Sequence, residues 1–155
     1  MEYIKSLFSK PSQKKHIGFE DIKYIISHMN EYLLMNTLSI TEQDCLIYGT
    51  IPYNKEEAII NSIIENGHTA NTILILYGKN SADDTVTNKY DQLKTLGFCN
   101  IYIYGGGLFE WLLLQDIYGF IEFPTTAKCV DLLKYRASQI LHTRNFSVSM
   151  PRLMR

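Results

Sequence analysis

Apolar and polar positions alternate along the chain in two periods. Phe19, Ile22, Tyr24, Ile25, Ile26 and Met29 recur at helical spacing, with Glu20 and Asp21 in the first turn where the helix dipole favours acids. Residues 32–38 are short and mostly apolar and predict a buried strand; the polar segment 39–44 predicts a connection, and residues 45–50 a second strand. After Pro52, residues 55–64 place Ala58, Ile59, Ile63 and Ile64 on one helical face before Asn66-Gly67 stops it. Residues 72–77 form an unbroken aliphatic run of the kind that fills the middle of a parallel sheet, ending at Gly78. The loop 78–84 leads into a helix carrying Val86, Tyr90, Leu93 and Leu96 and closed by Gly97. Residues 100–104 predict a further strand, Gly105-Gly106-Gly107 a turn, and residues 108–118 an apolar helix; a terminal helix is expected over 127–142.

Strands that alternate with helices specify an α/β fold, with a central, mostly parallel sheet and helices on both faces in three layers. The length, 155 residues, suits one core. Pro11, Ser12, Gln13 and neighbouring lysines make residues 1–16 read as a leader. No apolar run approaches the ~20 residues that span a bilayer, and the N-terminus lacks the apolar core of a secretory signal, so an intracellular location is expected, in the cytoplasm or a virus particle assembled there.

Net charge is −1, but it is segregated: residues 1–16 carry +3, residues 17–120 carry −8 and residues 121–155 carry +4. The basic ends allow contact with nucleic acid, although mixed tails folding back onto an acidic body explain the pattern as well. Cys45, Cys99 and Cys129 are too widely spaced for a disulfide framework or paired zinc ligands, and His16, His28, His68 and His142 are scattered. Neither metal nor cofactor is expected.

Gly49-Thr50-Ile51-Pro52, the strand-to-loop run 73–78, Leu96-Gly97-Phe98 with Asn100-Ile101-Tyr102, and Gly106-Gly107 before Trp111 follow one another along the chain. In that order they resemble rhodanese-like domains: the first string is similar to that family's Gly-His-Ile-Pro segment, and residues 73–78 resemble its central strand entering the active-site loop. Leu96-Gly97-Phe98 with Asn100-Ile101-Tyr102 resembles its Leu-Gly-Phe-x-Asn-Val segment, and Gly106-Gly107 before Trp111 resembles its Gly-Gly-x-x-x-Trp ending. The chain also resembles members found in large DNA viruses. The resemblance divides it into a leader or linker (1–18), a rhodanese-like domain (19–120) and a basic C-terminal extension (121–155).

In that family's sulfurtransferases a Cys-x-x-Gly-x-Arg loop follows the central strand and cradles an anionic persulfide. The matching positions here are Gly78, Ser81 and Asp83, a degenerate loop without nucleophile or cation. The related phosphatase loop is absent for the same reason, and Asn36 and Leu38 stand where many members carry Asp and Arg. The resemblance therefore implies a catalytically inactive module acting in protein–protein binding or regulation, with an unidentified protein partner or self-association. One alternative is a sulfurtransferase or phosphatase using a displaced cysteine, Cys129 or Cys99; a further alternative is a nucleic-acid-associated protein acting through its basic termini. The loop residues Lys79, Asn80, Ser81, Asp83 and Asp84 are the candidates for ligand contact, since open α/β sheets bind at the carboxyl ends of their strands. The competing role for Asp83 or Asp84 is to cap the following helix. Trp111 is expected in the core, with any exposed part of its helix serving as an interface.

Overall fold

The computed structural model describes residues 13–141. Four parallel strands, β1 (Lys15–Ile17), β2 (Tyr32–Asn36), β3 (Ile73–Tyr77) and β4 (Asn100–Tyr104), lie in the order β1-β4-β3-β2. Four helices connect and follow them: α1 (Phe19–Ser27), α2 (Tyr53–Glu65), α3 (Thr85–Thr95) and α4 (Gly107–Tyr118). The period-2 alternation of β3 sorts the core. Ile75 and Tyr77 face one side, where they pack with Ile22 and Ile25 of α1 and Leu108, Trp111 and Leu112 of α4. Leu74 and Leu76 face the other, against Ile60 of α2 and Val86, Tyr90 and Leu93 of α3. Two helical layers thus enclose the sheet, and because every pairing is parallel the strand ends share one edge.

Four of the five predicted helices and three of the four predicted strands form within a few residues of their expected limits, and Trp111 is fully buried, donating its indole N–H to the Pro124 carbonyl at 3.1 Å. Four expectations need correction. Residues 45–50 are not a strand of the sheet: Leu46 and Tyr48 bond instead to the segment 124–126, Gly49 turns in the left-handed region (φ 88°), and only Thr50 bridges to Leu34. The helix expected over 127–142 is replaced by irregular chain with one short 3-10 turn, Leu132–Tyr135, started by the Asp131 carboxylate accepting from the Leu133 N–H. Tyr135 is buried and its carbonyl is held by Asn80, which keeps this segment stretched across the domain; His142 lies outside the described residues. Lys15 and His16, read as leader, belong to β1, which pairs with β4; three residues are too few to register as a period. Phe123, Thr125 and Tyr135, from the segment read as an extension, are core residues.

A closed hydrogen-bond ring joins β3 to the irregular 47–50 segment. The Ile47 N–H donates to the Tyr77 hydroxyl (3.1 Å), which meets Thr50 Oγ1 (2.6 Å), and Thr50 donates back to the Ile47 carbonyl (2.6 Å). Tyr77 is fully buried, and burial pushes its phenol far above the ordinary range, so it stays a neutral donor. Tyr77→Phe should lower unfolding stability by about 1–3 kcal/mol, the cost of stranding a buried amide, with an unchanged urea m-value.

Candidate functional site

At the carboxyl edge of the sheet, β3 ends in the loop Gly78 to Asp84 before α3. The loop closes upon one of its own side chains. Asp83 Oδ2 accepts the Lys79 backbone N–H at 2.8 Å, while Oδ1 accepts the Thr85 backbone N–H at 3.0 Å and its hydroxyl at 2.6 Å. The carboxylate therefore acts as the cap of α3, bonding to its first residue, whereas Asp84, directly before the helix, makes no capping bond with its side chain. It also fills the space above Gly78: a Cβ at that residue would lie 2.6 Å from Asp83 Oδ2 and 2.6 Å from Val86 Cγ2.

The other loop candidates are tied down as well. Asn80 Oδ1 accepts from the Ala82 N–H (2.9 Å), and its Nδ2 donates to the Tyr135 carbonyl (3.0 Å). Lys79 Nζ pairs with Glu42 at 2.8 Å, which takes up the one cation of the loop. Ser81 and Asp84 are exposed. A cavity of about 440 Å³ opens beside the loop, where Lys79, Asn80, Asp83 and Asp84 line it together with Glu42 and Thr37. On the neighbouring strand, Asn36 is buried and its Oδ1 accepts from the Leu38 N–H (3.0 Å), so it shapes the turn after β2 and presents no charge to the cavity.

From behind, the first turn of α4 supports the loop. Leu108 and Phe109 N–H groups donate to the Gly78 and Lys79 carbonyls, both at 2.9 Å. Gly107 lies between them with φ 69°, and a Cβ there would stand 2.8 Å from the Gly78 carbonyl oxygen and 3.0 Å from the Asn80 nitrogen. The triple glycine is thus a tight strand-to-helix turn that lets two backbones meet. Glu42, Thr85 and Gly107 were not among the sequence candidates. The glycine run pointed to Gly107, but nothing near Glu42 marks it as the partner of a lysine 37 residues away.

No cysteine lines this cavity. Cys45 is buried, its Sγ 3.2 Å from the Ala127 carbonyl, and burial raises its thiol pKa. Cys99 is exposed just before β4, at the opposite end of the strands, and Cys129 is half-buried against the α4 face of the core. Of the basic termini, residues 1–12 and 142–155 fall outside the described residues. No helix among those residues is long and apolar enough to cross a membrane.

Gly107→Ala should be destabilised by about 2 kcal/mol or more, because the new methyl meets backbone and the left-handed φ is strained; thermal unfolding measures it. With a thiol-reactive disulfide reagent at pH 8, Cys99 should be modified rapidly. Cys45 should label at least about 100-fold more slowly, since burial both covers it and disfavours its thiolate, as peptide mass spectrometry would show.

No family model matches the chain, and no curated protein sequence matches it. Solved structures do. The single-domain sulfurtransferase RDL2 of Saccharomyces cerevisiae superposes with a TM-score of 0.53 at 18% identity, over 70% of this chain and 97% of that one. The BH2092 protein of Bacillus halodurans gives 0.51 at 16%, over 76% and 79% of the two chains. The Alr3790 protein of Anabaena, whose domain is called rhodanese-like, gives 0.50 at 16%, over 76% and 96%. At such identities the likeness is one of architecture, and the architecture of this chain is the rhodanese-like fold.

Proposed function

We propose that the chain is a catalytically silent rhodanese-like module that works by binding a protein partner in a regulatory role. The observation that carries this reading is the Asp83 carboxylate seated above Gly78 and bonded to the Lys79 N–H. A thiosulfate sulfur or a phosphate would have to enter the space held by that carboxylate, against its charge and that of Asp84. No thiol stands at the end of the central strand to attack either group, and the nearby cation is engaged by Glu42.

A role in contact also agrees with the surface. The last turn of α4 and the chain after it expose Ile117 (69%), Tyr118 (64%) and Ile121 (91%), a concentration of apolar area that isolated monomers usually cover. The resemblance to members in large DNA viruses makes a virus-assembled complex the setting we favour.

Thiosulfate-to-cyanide sulfur transfer and a generic phosphatase assay test the reading, run on the full chain and on Cys45→Ser, Cys99→Ser and Cys129→Ser. Turnover no higher than that of the triple Cys→Ser protein is expected throughout. Turnover that one of the three substitutions abolishes would overturn the proposal and name a displaced nucleophile.

A further inference from the structure

Toward the other end of the sheet, under α1, lies a second and smaller cavity of about 190 Å³. Its walls are Tyr24 of α1, Tyr32 of β2 and Tyr102 of β4, with Asp21 beside them and Ile25 and Ile75, both buried, at its base. The Tyr24 and Tyr32 rings stand nearly perpendicular (78°) with centroids 6.2 Å apart, and His28 stacks on Tyr24 at 4.0 Å, which fixes that ring. Tyr24 is half-exposed and Asp21 is exposed, so the cavity is open to solvent. Among the described residues, Asp21 takes part in none of the ion pairs.

Three aromatic walls, one unpaired carboxylate and an aliphatic base define a narrow class of ligand. The tyrosine rings around the cavity and the Asp21 carboxylate favour a cation. The isoleucines at the base offer no hydrogen-bond acceptor, which penalises a bare ammonium that must give up its water and suits one whose N–H groups are replaced by methyls. The volume is below the roughly 300–1,000 Å³ of sites that enclose whole small molecules, so one compact group fills it. The chain itself demonstrates the attraction: Lys15 Nζ lies 5.5 Å from the Tyr102 ring centroid, held there by a long, exposed side chain that can withdraw.

We infer that the cavity bounded by Asp21, Tyr24, Tyr32 and Tyr102 is a binding site for a methylated ammonium group. It lies away from the Gly78 loop and is independent of the function proposed for that loop.

NMR titration of the isotope-labelled full chain tests this, at constant ionic strength with sodium chloride as the blank. Choline should give saturable shifts centred on Tyr24, Tyr32 and Tyr102, while its neutral isostere 3,3-dimethylbutan-1-ol should bind at least about fivefold more weakly. Tyr24→Ala and Asp21→Asn should each weaken choline roughly three- to tenfold with the rest of the spectrum unchanged. Peptides carrying trimethyllysine or unmodified lysine then separate the sources: a methylated peptide that binds more tightly than choline places the group on a protein side chain, and one that binds no better points to a free small amine. The site is refuted if choline fails to saturate below about 50 mM, if the neutral isostere binds equally well, or if Tyr24→Ala leaves binding unchanged.

Discussion

The Asp83 carboxylate organises the edge of the sheet on which the functional argument rests. It bonds to backbone N–H groups on both sides, at Lys79 just beyond β3 and at Thr85 at the start of α3, so the loop wraps around an anion that the chain supplies itself. A loop of this kind at the end of a parallel strand ordinarily offers its amides to an external anion. Here the offer is taken up internally, and the space that a side chain at residue 78 would need is occupied. The same contact that orders the loop and caps a helix is the one on which the proposed loss of sulfur-transfer chemistry rests.

The rest of the structure holds this arrangement in place. Gly107 lets the first turn of α4 approach closely enough for Leu108 and Phe109 to bond to the loop carbonyls. Asn80 reaches the Tyr135 carbonyl, which draws the segment after α4 across the domain, and Lys79 joins the loop to Glu42 beyond β2. At the base of the loop, Tyr77 is fixed by the buried ring with Ile47 and Thr50. The loop is thus braced from four directions, an arrangement suited to a rigid surface.

Where the sequence spoke clearly, it did so through period and punctuation. The aliphatic run of β3, the helical faces of α1, α2 and α3, and the glycines at 67 and 97, both with positive φ, are local signals that tertiary structure had no cause to override. Residues 45–50 look like a strand by composition, but Gly49 breaks them and their partners are residues 124–126, which no local pattern reveals. The three residues of β1 are too short to show a period, and the region 127–141 takes its course from contacts made by Tyr135 and Asp131. At the loop, the resemblance implied Gly78 and Asp83 at the positions of a nucleophile and a cation, and the structure places both residues in the loop after β3. That Asp83 would turn inward and fill the space above Gly78 was not legible, because it depends on how the loop folds back between β3 and α3. The tyrosine-lined cavity was equally hidden, since its three rings come from α1, β2 and β4.

Asp83 closes the loop's anion cradle from within. The most direct measurement is a thiosulfate titration of the nitrogen-15-labelled full chain, following the backbone amides of Lys79 and Thr85. Amides that stay in place to about 20 mM, apart from the uniform drift caused by ionic strength, are what an occupied cradle produces. Saturable shifts at those two amides would contradict it, because an external anion would then be displacing Asp83.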